Sequence, residues 1–137
     1  MTPEIEQLHQ TIAQGVFDGL QDDGWTQATY SHLAITLFSE EAGLYQLADG
    51  QQHSFVPAAD VTDAFEELRT RMVPLNPKGH AWYTATLTLT PDGDFTFDFV
   101  YDELPRFEGV PSASKWEDEF RTYPRPELQA RVPPQPK

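Results

Sequence analysis

Cysteine is absent from this chain of 137 residues. Disulfides and cysteine-ligated zinc are thereby excluded, and the composition suits a reducing compartment. Basic residues are also scarce, nine against 22 acids, for a net charge of −13. Phosphate binding needs clustered Lys and Arg, so nucleic acid and anionic membrane are poor partners for such a surface, whereas basic proteins are natural ones. No apolar run approaches the ~20 residues needed to cross a bilayer. The opening residues, Met-Thr-Pro-Glu-Ile-Glu, lack the basic-then-apolar layout of a signal peptide. A cytoplasmic protein is the expectation.

What is present points to a folded protein: 39% hydrophobic and 12% aromatic residues supply a core that disordered chains lack. The clearest local pattern runs from Trp82 to Asp102, where two alternating arms flank Pro91-Asp92-Gly93. Alternation marks strands with one buried face, and Pro-Asp-Gly suits a three-residue hairpin loop. That loop pairs Thr90 with Asp94, so Tyr83, Ala85, Leu87 and Leu89 face Tyr101, Phe99, Phe97 and Phe95 on one side. The reverse side pairs Trp82 with Asp102, Thr84 with Val100, Thr86 with Asp98 and Thr88 with Thr96. A one-residue slip would expose every aromatic, which fixes the register.

Elsewhere, Ile5, Leu8, Ile12, Val16 and Leu20 follow helical spacing, with Thr2 as cap, Pro3 in the first turn and Asp22-Asp23-Gly24 as the stop. Trp25 to Phe38 has strand composition, with Leu33, Ile35 and Leu37 on one face and room for a bulge near Ser31. Glu40 to Gly43 reads as a turn, Leu44 to Leu47 as a short strand, and Asp49-Gly50 as a hairpin turn returning through Gln52 to Val56. Asp60 is placed to cap a second helix whose buried stripe is Val61, Ala64, Phe65, Leu68 and Met72. Ser112 or Ser114 can cap a third, short helix carrying Trp116 and Phe120. The expectation is one α+β domain over residues 1–123, followed by a proline-rich extended tail over 124–137 (Pro124, Pro126, Pro133, Pro134, Pro136). Its order is α-β-β-β-α-β-β-α: a three-strand meander plus the C-terminal hairpin in a single antiparallel sheet, with helices packed on one face.

Catalytic signals are weak. Asp94, Asp98 and Asp102 share a strand face four residues apart, roughly 13 Å between neighbours, which is wider than the carboxylate pairs of glycosidases. His9, His32, His53 and His80 show no metal-ligand spacing and read as ordinary surface or strand histidines. No phosphate loop, nucleophile elbow or calcium loop is present, so no catalytic residue, metal or cofactor is expected. Charge is unevenly distributed: nine acids and two bases lie between Asp92 and Glu119. That concentration favours a partner surface over acids that merely keep the chain soluble. Trp25 and Trp116 read as core. Trp82 falls on the polar face beside Asp102, where a tryptophan anchors a partner protein unless the C-terminal helix covers it.

The hairpin Leu87-Thr88-Leu89 through Asp92-Gly93-Asp94-Phe95 and Phe97-Asp98-Phe99-Val100-Tyr101-Asp102 resembles that of the YezG-like antitoxins, immunity proteins of bacterial polymorphic-toxin systems. Gly24-Trp25, the helix Ala64-Phe65-Glu66-Glu67-Leu68-Arg69, and Lys115-Trp116 carry the same resemblance, which spans roughly Ile5 to Phe120. It implies a small cytoplasmic protein, not an enzyme, that binds and blocks a toxin domain, often a nuclease. An acidic surface of Asp98, Asp102, Glu103, Glu117 and Asp118, with Trp82 as apolar anchor, would occupy the basic groove. The alternatives are a non-enzymatic adaptor or secretion chaperone, and a small-molecule-binding domain. An exposed sheet edge would also allow dimerisation.

Overall fold

In the computed structural model, which describes residues 2–20, 23–58 and 60–132, a helix α1 (Pro3–Asp18) leads into strands β1 (Trp25–Ile35), β2 (Phe38–Leu47) and β3 (Gln52–Ser54). Helix α2 (Thr62–Met72) follows, then a 3₁₀ turn (Val73–Leu75), strands β4 (Thr84–Leu89) and β5 (Phe95–Val100), and helices α3 (Ala113–Thr122) and α4 (Pro126–Gln129). The architecture is α+β, with one five-stranded antiparallel sheet in the order β3-β2-β1-β4-β5. Among the described residues no helix is long and apolar enough to cross a membrane.

Local chemistry accounts for the element ends. The Thr2 hydroxyl accepts the Ile5 N–H at 3.3 Å, relieving one of the unpaired donors of the first turn of α1. That helix ends at Asp18, and the expected stop residue Asp22 lies outside the described residues. The Asp60 carboxylate accepts the Thr62 N–H at 3.0 Å where α2 begins. In the β4–β5 turn, Gly93 takes φ +89° while the Thr90 N–H donates to the Asp94 carbonyl. The register expected from alternation is the one observed, from Thr84–Val100 to Leu89–Phe95.

Two hydrophobic clusters divide the interior. The larger lies between the sheet and α1 and α2, joining Ile5, Ile12, Val16, Phe65 and Leu68 to Ala28, Tyr30, Ala85, Leu87 and Leu89. Fully burying a Leu, Ile or Phe is worth about 1.5–3 kcal/mol each, so this cluster dominates stability. The smaller gathers Ile35, Tyr83, Trp116, Phe120 and Leu128 where β1 ends and β4 begins.

Several expectations need correction. From Trp25 to His32 the buried residues of β1 are Trp25, Ala28, Tyr30 and His32, a parity opposite to the Leu33–Ile35–Leu37 reading. Ala34 and Ile35 are both buried at the strand's end, so of that expected face only Ile35 is buried, in the smaller cluster, while Leu33 is half-buried and Leu37 is 59% exposed at a turn. The register shift in β1 lies between Trp25 and Gln27, not near Ser31. Glu40 to Gly43 belong to β2, which is ten residues long. A Cβ on Gly43 would stand 2.9 Å from the Tyr30 ring and 3.0 Å from the Phe55 carbonyl, so glycine here permits close packing and marks no turn. The expected tail is folded in part: Pro126–Gln129 form a helical turn, and Arg125 and Leu128 are buried. The Arg125 guanidinium stacks 4.2 Å over the Tyr83 ring and donates to the carbonyls of Tyr101 and Ala81, clamping the base of the hairpin. Pro133, Pro134 and Pro136 lie outside the described residues.

Candidate protein-binding surface

Trp82 is not on the surface. It is 0% exposed and packs in the larger cluster against His32 and Phe99. The reason is a backbone irregularity: the Tyr83 N–H donates to the Val100 carbonyl, although Val100 is already paired with Thr84. Two residues therefore oppose one, as in a β-bulge, and side chains upstream change faces. Trp82 turns into the core and Tyr83 turns out to the second cluster.

Downstream of this irregularity the alternation holds. Asp98 is exposed on the side of the sheet away from α1 and α2, opposite Thr86. The same face carries Thr29, Ser31, Thr84, Thr88 and Thr96, with Ser31 and Thr86 hydroxyls 3.3 Å apart. Asp102 and Glu103 are exposed just beyond the end of β5, and Glu117 is exposed on α3. Among the described residues these four carboxylates make no hydrogen bond or ion pair. Asp118 differs, because Arg121 donates to it at 2.5 Å within α3.

Other acids are used by the fold. Glu119 is fully buried; its Oε1 accepts from the Thr36 N–H (2.8 Å), the Thr36 hydroxyl (3.0 Å) and Arg69 (3.2 Å). Arg69 also donates to the Trp82 carbonyl at 2.6 Å, so one guanidinium ties α2 to α3 and to the hairpin base. Glu41 receives the Tyr30 hydroxyl (3.0 Å), the Thr62 hydroxyl (2.7 Å) and His32 Nδ1 (2.6 Å). Burial alone would push the Glu41 carboxyl up, but the bonds from His32, Thr62 and Tyr30 outweigh it and hold the group below its ordinary value. A carboxylate only accepts, so His32 Nδ1 carries the proton. Burial, followed by the Glu41 charge, raises the Tyr30 hydroxyl well above its usual value.

Two histidines expected at the surface or in ordinary strand positions are thus interior groups. His32 stacks on Phe65 with centroids 5.0 Å apart. His9 stacks on Phe97 at 4.4 Å, and burial lowers its pKa although Glu6 opposes the shift. Alternation of β1 on Tyr30 and Ala28 was the signal that would have placed His32 inside. Nothing in sequence order linked Glu41 to it, because the partner lies in the neighbouring strand.

A separate cleft of about 590 Å³ opens between the loop after β5 and the C-terminal helices, lined by Leu104, Phe107, Val110, Trp116 and Leu128 with Arg106 and Arg131. Glu40 pins this loop by accepting the N–H groups of Glu108 and Gly109 at 2.7 and 2.6 Å. Among the described residues, no group of three or more His, Asp or Glu side chains is arranged to hold a metal ion. No protein-family model and no curated protein matches the chain.

Proposed function

We propose that this chain is an immunity protein, which neutralises a basic, nuclease-type toxin domain by steric and electrostatic blockade and performs no chemistry of its own. The observation that carries this reading is the set of four exposed carboxylates, Asp98, Asp102, Glu103 and Glu117, which have no partner among the described residues while Glu41 and Glu119 are consumed internally. Such groups stay hydrated and available, and they resemble in charge the phosphates that a nuclease groove is built to receive. Opposite charge accelerates encounter, which matters for an inhibitor that must act before damage is done. The resemblance to YezG-like antitoxins points the same way, and a cytoplasmic location belongs to the same proposal. Trp82 takes no part in docking; its role is in the core. Asp118 is a weaker contributor, since Arg121 already offsets it.

The test is inhibition of the purified toxin domain encoded beside this chain's gene. The expected result is a stoichiometric complex and loss of toxin activity. Undiminished activity at saturating excess of this chain would refute the proposal.

A second reading, a small-molecule-binding domain, is favoured by the cleft of Leu104, Phe107, Val110, Trp116 and Leu128, whose walls also carry Glu103, Arg106 and Arg131. A molecule with a predominantly apolar body is the matching ligand class. A rise in melting temperature with such molecules would support it.

A further inference from the structure

The outer edge of β5 has no partner strand among the described residues, because β5 ends the sheet and pairs with β4 alone. Hydrogen-bonded pairs alternate along an antiparallel ladder. Since the Thr90 N–H donates to the Asp94 carbonyl, the next such pairs are Thr88–Thr96, Thr86–Asp98 and Thr84–Val100. The peptide groups of Phe95, Phe97 and Phe99 therefore point out of the sheet. This edge carries no lysine, no proline and no bulge of its own; its one protective device is the charge of Asp98, with Asp94 beside it, which repels another acidic edge and attracts a basic strand. The opposite edge, β3, is only three residues long.

We infer that β5 is a strand-addition site, and that its occupant is an extended segment of a basic partner protein whose cationic and apolar side chains alternate. The proposal rests on the immunity reading and specifies how the toxin would be held. An added strand lays one set of side chains on the open face beside Asp94 and Asp98 and the other beside the half-buried Phe95, Phe97 and Phe99. On the latter side, α1 and the hairpin leave a hollow of about 160 Å³ between Gln10, Ala13, Phe17 and Phe95, which has room for an aliphatic side chain. A second copy of this chain is the wrong occupant. Antiparallel pairing of β5 with itself sets the two aspartate rows side by side on one face, where like charges repel.

The experiment uses the full chain and the peptide Lys-Val-Thr-Val-Lys-Val-Thr-Val-Lys at low salt, in three forms: unmodified, N-methylated at the valines, and N-methylated at the threonines. In antiparallel addition with the lysines toward the aspartates, each valine lies directly opposite a phenylalanine of β5, so the valine N–H groups face β5 and the threonine N–H groups face away. Valine methylation should weaken binding about tenfold or more, while threonine methylation leaves it nearly unchanged. Saturating unmodified peptide should slow amide exchange at Phe95, Phe97 and Phe99, and Asp98→Lys should weaken the complex. No binding, equal binding of the two methylated forms, or unaltered exchange at those three amides overturns strand addition. Neutralisation of the toxin in spite of that result leaves the immunity reading standing; peptide capture by a chain that fails to neutralise leaves strand addition standing without it.

Discussion

Glu41, on the helix-covered side of the sheet, and Glu119, at the sheet's end, are surrounded by donors: Tyr30, His32 and Thr62 for one, Thr36 and Arg69 for the other. On the open side and beyond it, Asp98, Asp102, Glu103 and Glu117 are exposed and, among the described residues, make no hydrogen bond or ion pair. The same functional group thus does two unrelated things in one small domain. Inside, it orders neighbouring elements, and removing it strands buried donors. Outside, it contributes little to stability and is free to be recognised. Net charge alone conceals this, because the acid-rich stretch from Asp92 to Glu119 includes one carboxylate enclosed by the fold and another already offset by Arg121.

The sharpest way to break the contrast is at Trp82, which alternation alone places among the exposed groups. Trp82→Ala should cost about 3–5 kcal/mol in urea unfolding, as for a core aromatic; a loss below about 1 kcal/mol would return it to the surface. Glu119→Ala comes next, at about 3 kcal/mol, because it leaves the Arg69 charge largely buried and without its carboxylate. The double variant Arg69→Met with Glu119→Leu should recover most of that loss, since a well-packed apolar pair avoids the desolvation of both ions.

Acid should loosen the interior in two steps of the same sign, one for His9 and one for Glu41. Burial holds the His9 pKa below its ordinary 6.5, so stability from its neutral form is complete above that value and declines as pH falls toward the lowered one. Despite burial, its donors hold Glu41 below the ordinary 4.5; its contribution is present above 4.5 and is lost as pH falls through the folded value. Melting temperature followed from neutral pH downward should therefore fall in an upper step missing from His9→Phe and a lower step missing from Glu41→Gln. Identical profiles for all three proteins would contradict these assignments. The smallest expected effect on stability is Asp98→Lys with Asp102→Lys, within about 0.5 kcal/mol. That pair should nonetheless slow association with the toxin domain at low salt; unchanged kinetics would remove electrostatic capture from the mechanism.

The hairpin was legible in the sequence because its two arms alternate and its loop admits one register. The α1 stripe and its Thr2 cap were legible for similar reasons: spacing and capping chemistry act within a few residues. The parity of β1 was not, because His32 is hidden only with help from Glu41, in a stretch whose two glutamates and glycine imitate a turn. The position of Trp82 depends on where one backbone N–H goes, at Tyr83, and side-chain pattern carries no trace of that. Arg125 was concealed among prolines, since its partners are main-chain carbonyls that any sequence supplies. The exposed aspartate at position 98 could be read in advance, being two-residue alternation carried onto a polar residue.

The division of the interior into two clusters supplies the molecule with built-in optical reporters. Trp82 lies in the larger cluster and Trp116 in the smaller. With Trp25 and one of these replaced by phenylalanine, the emission of the remaining indole follows a single cluster. Paired melting curves would then show whether the α3 end of the sheet loosens before the middle, a question that a global unfolding signal averages away.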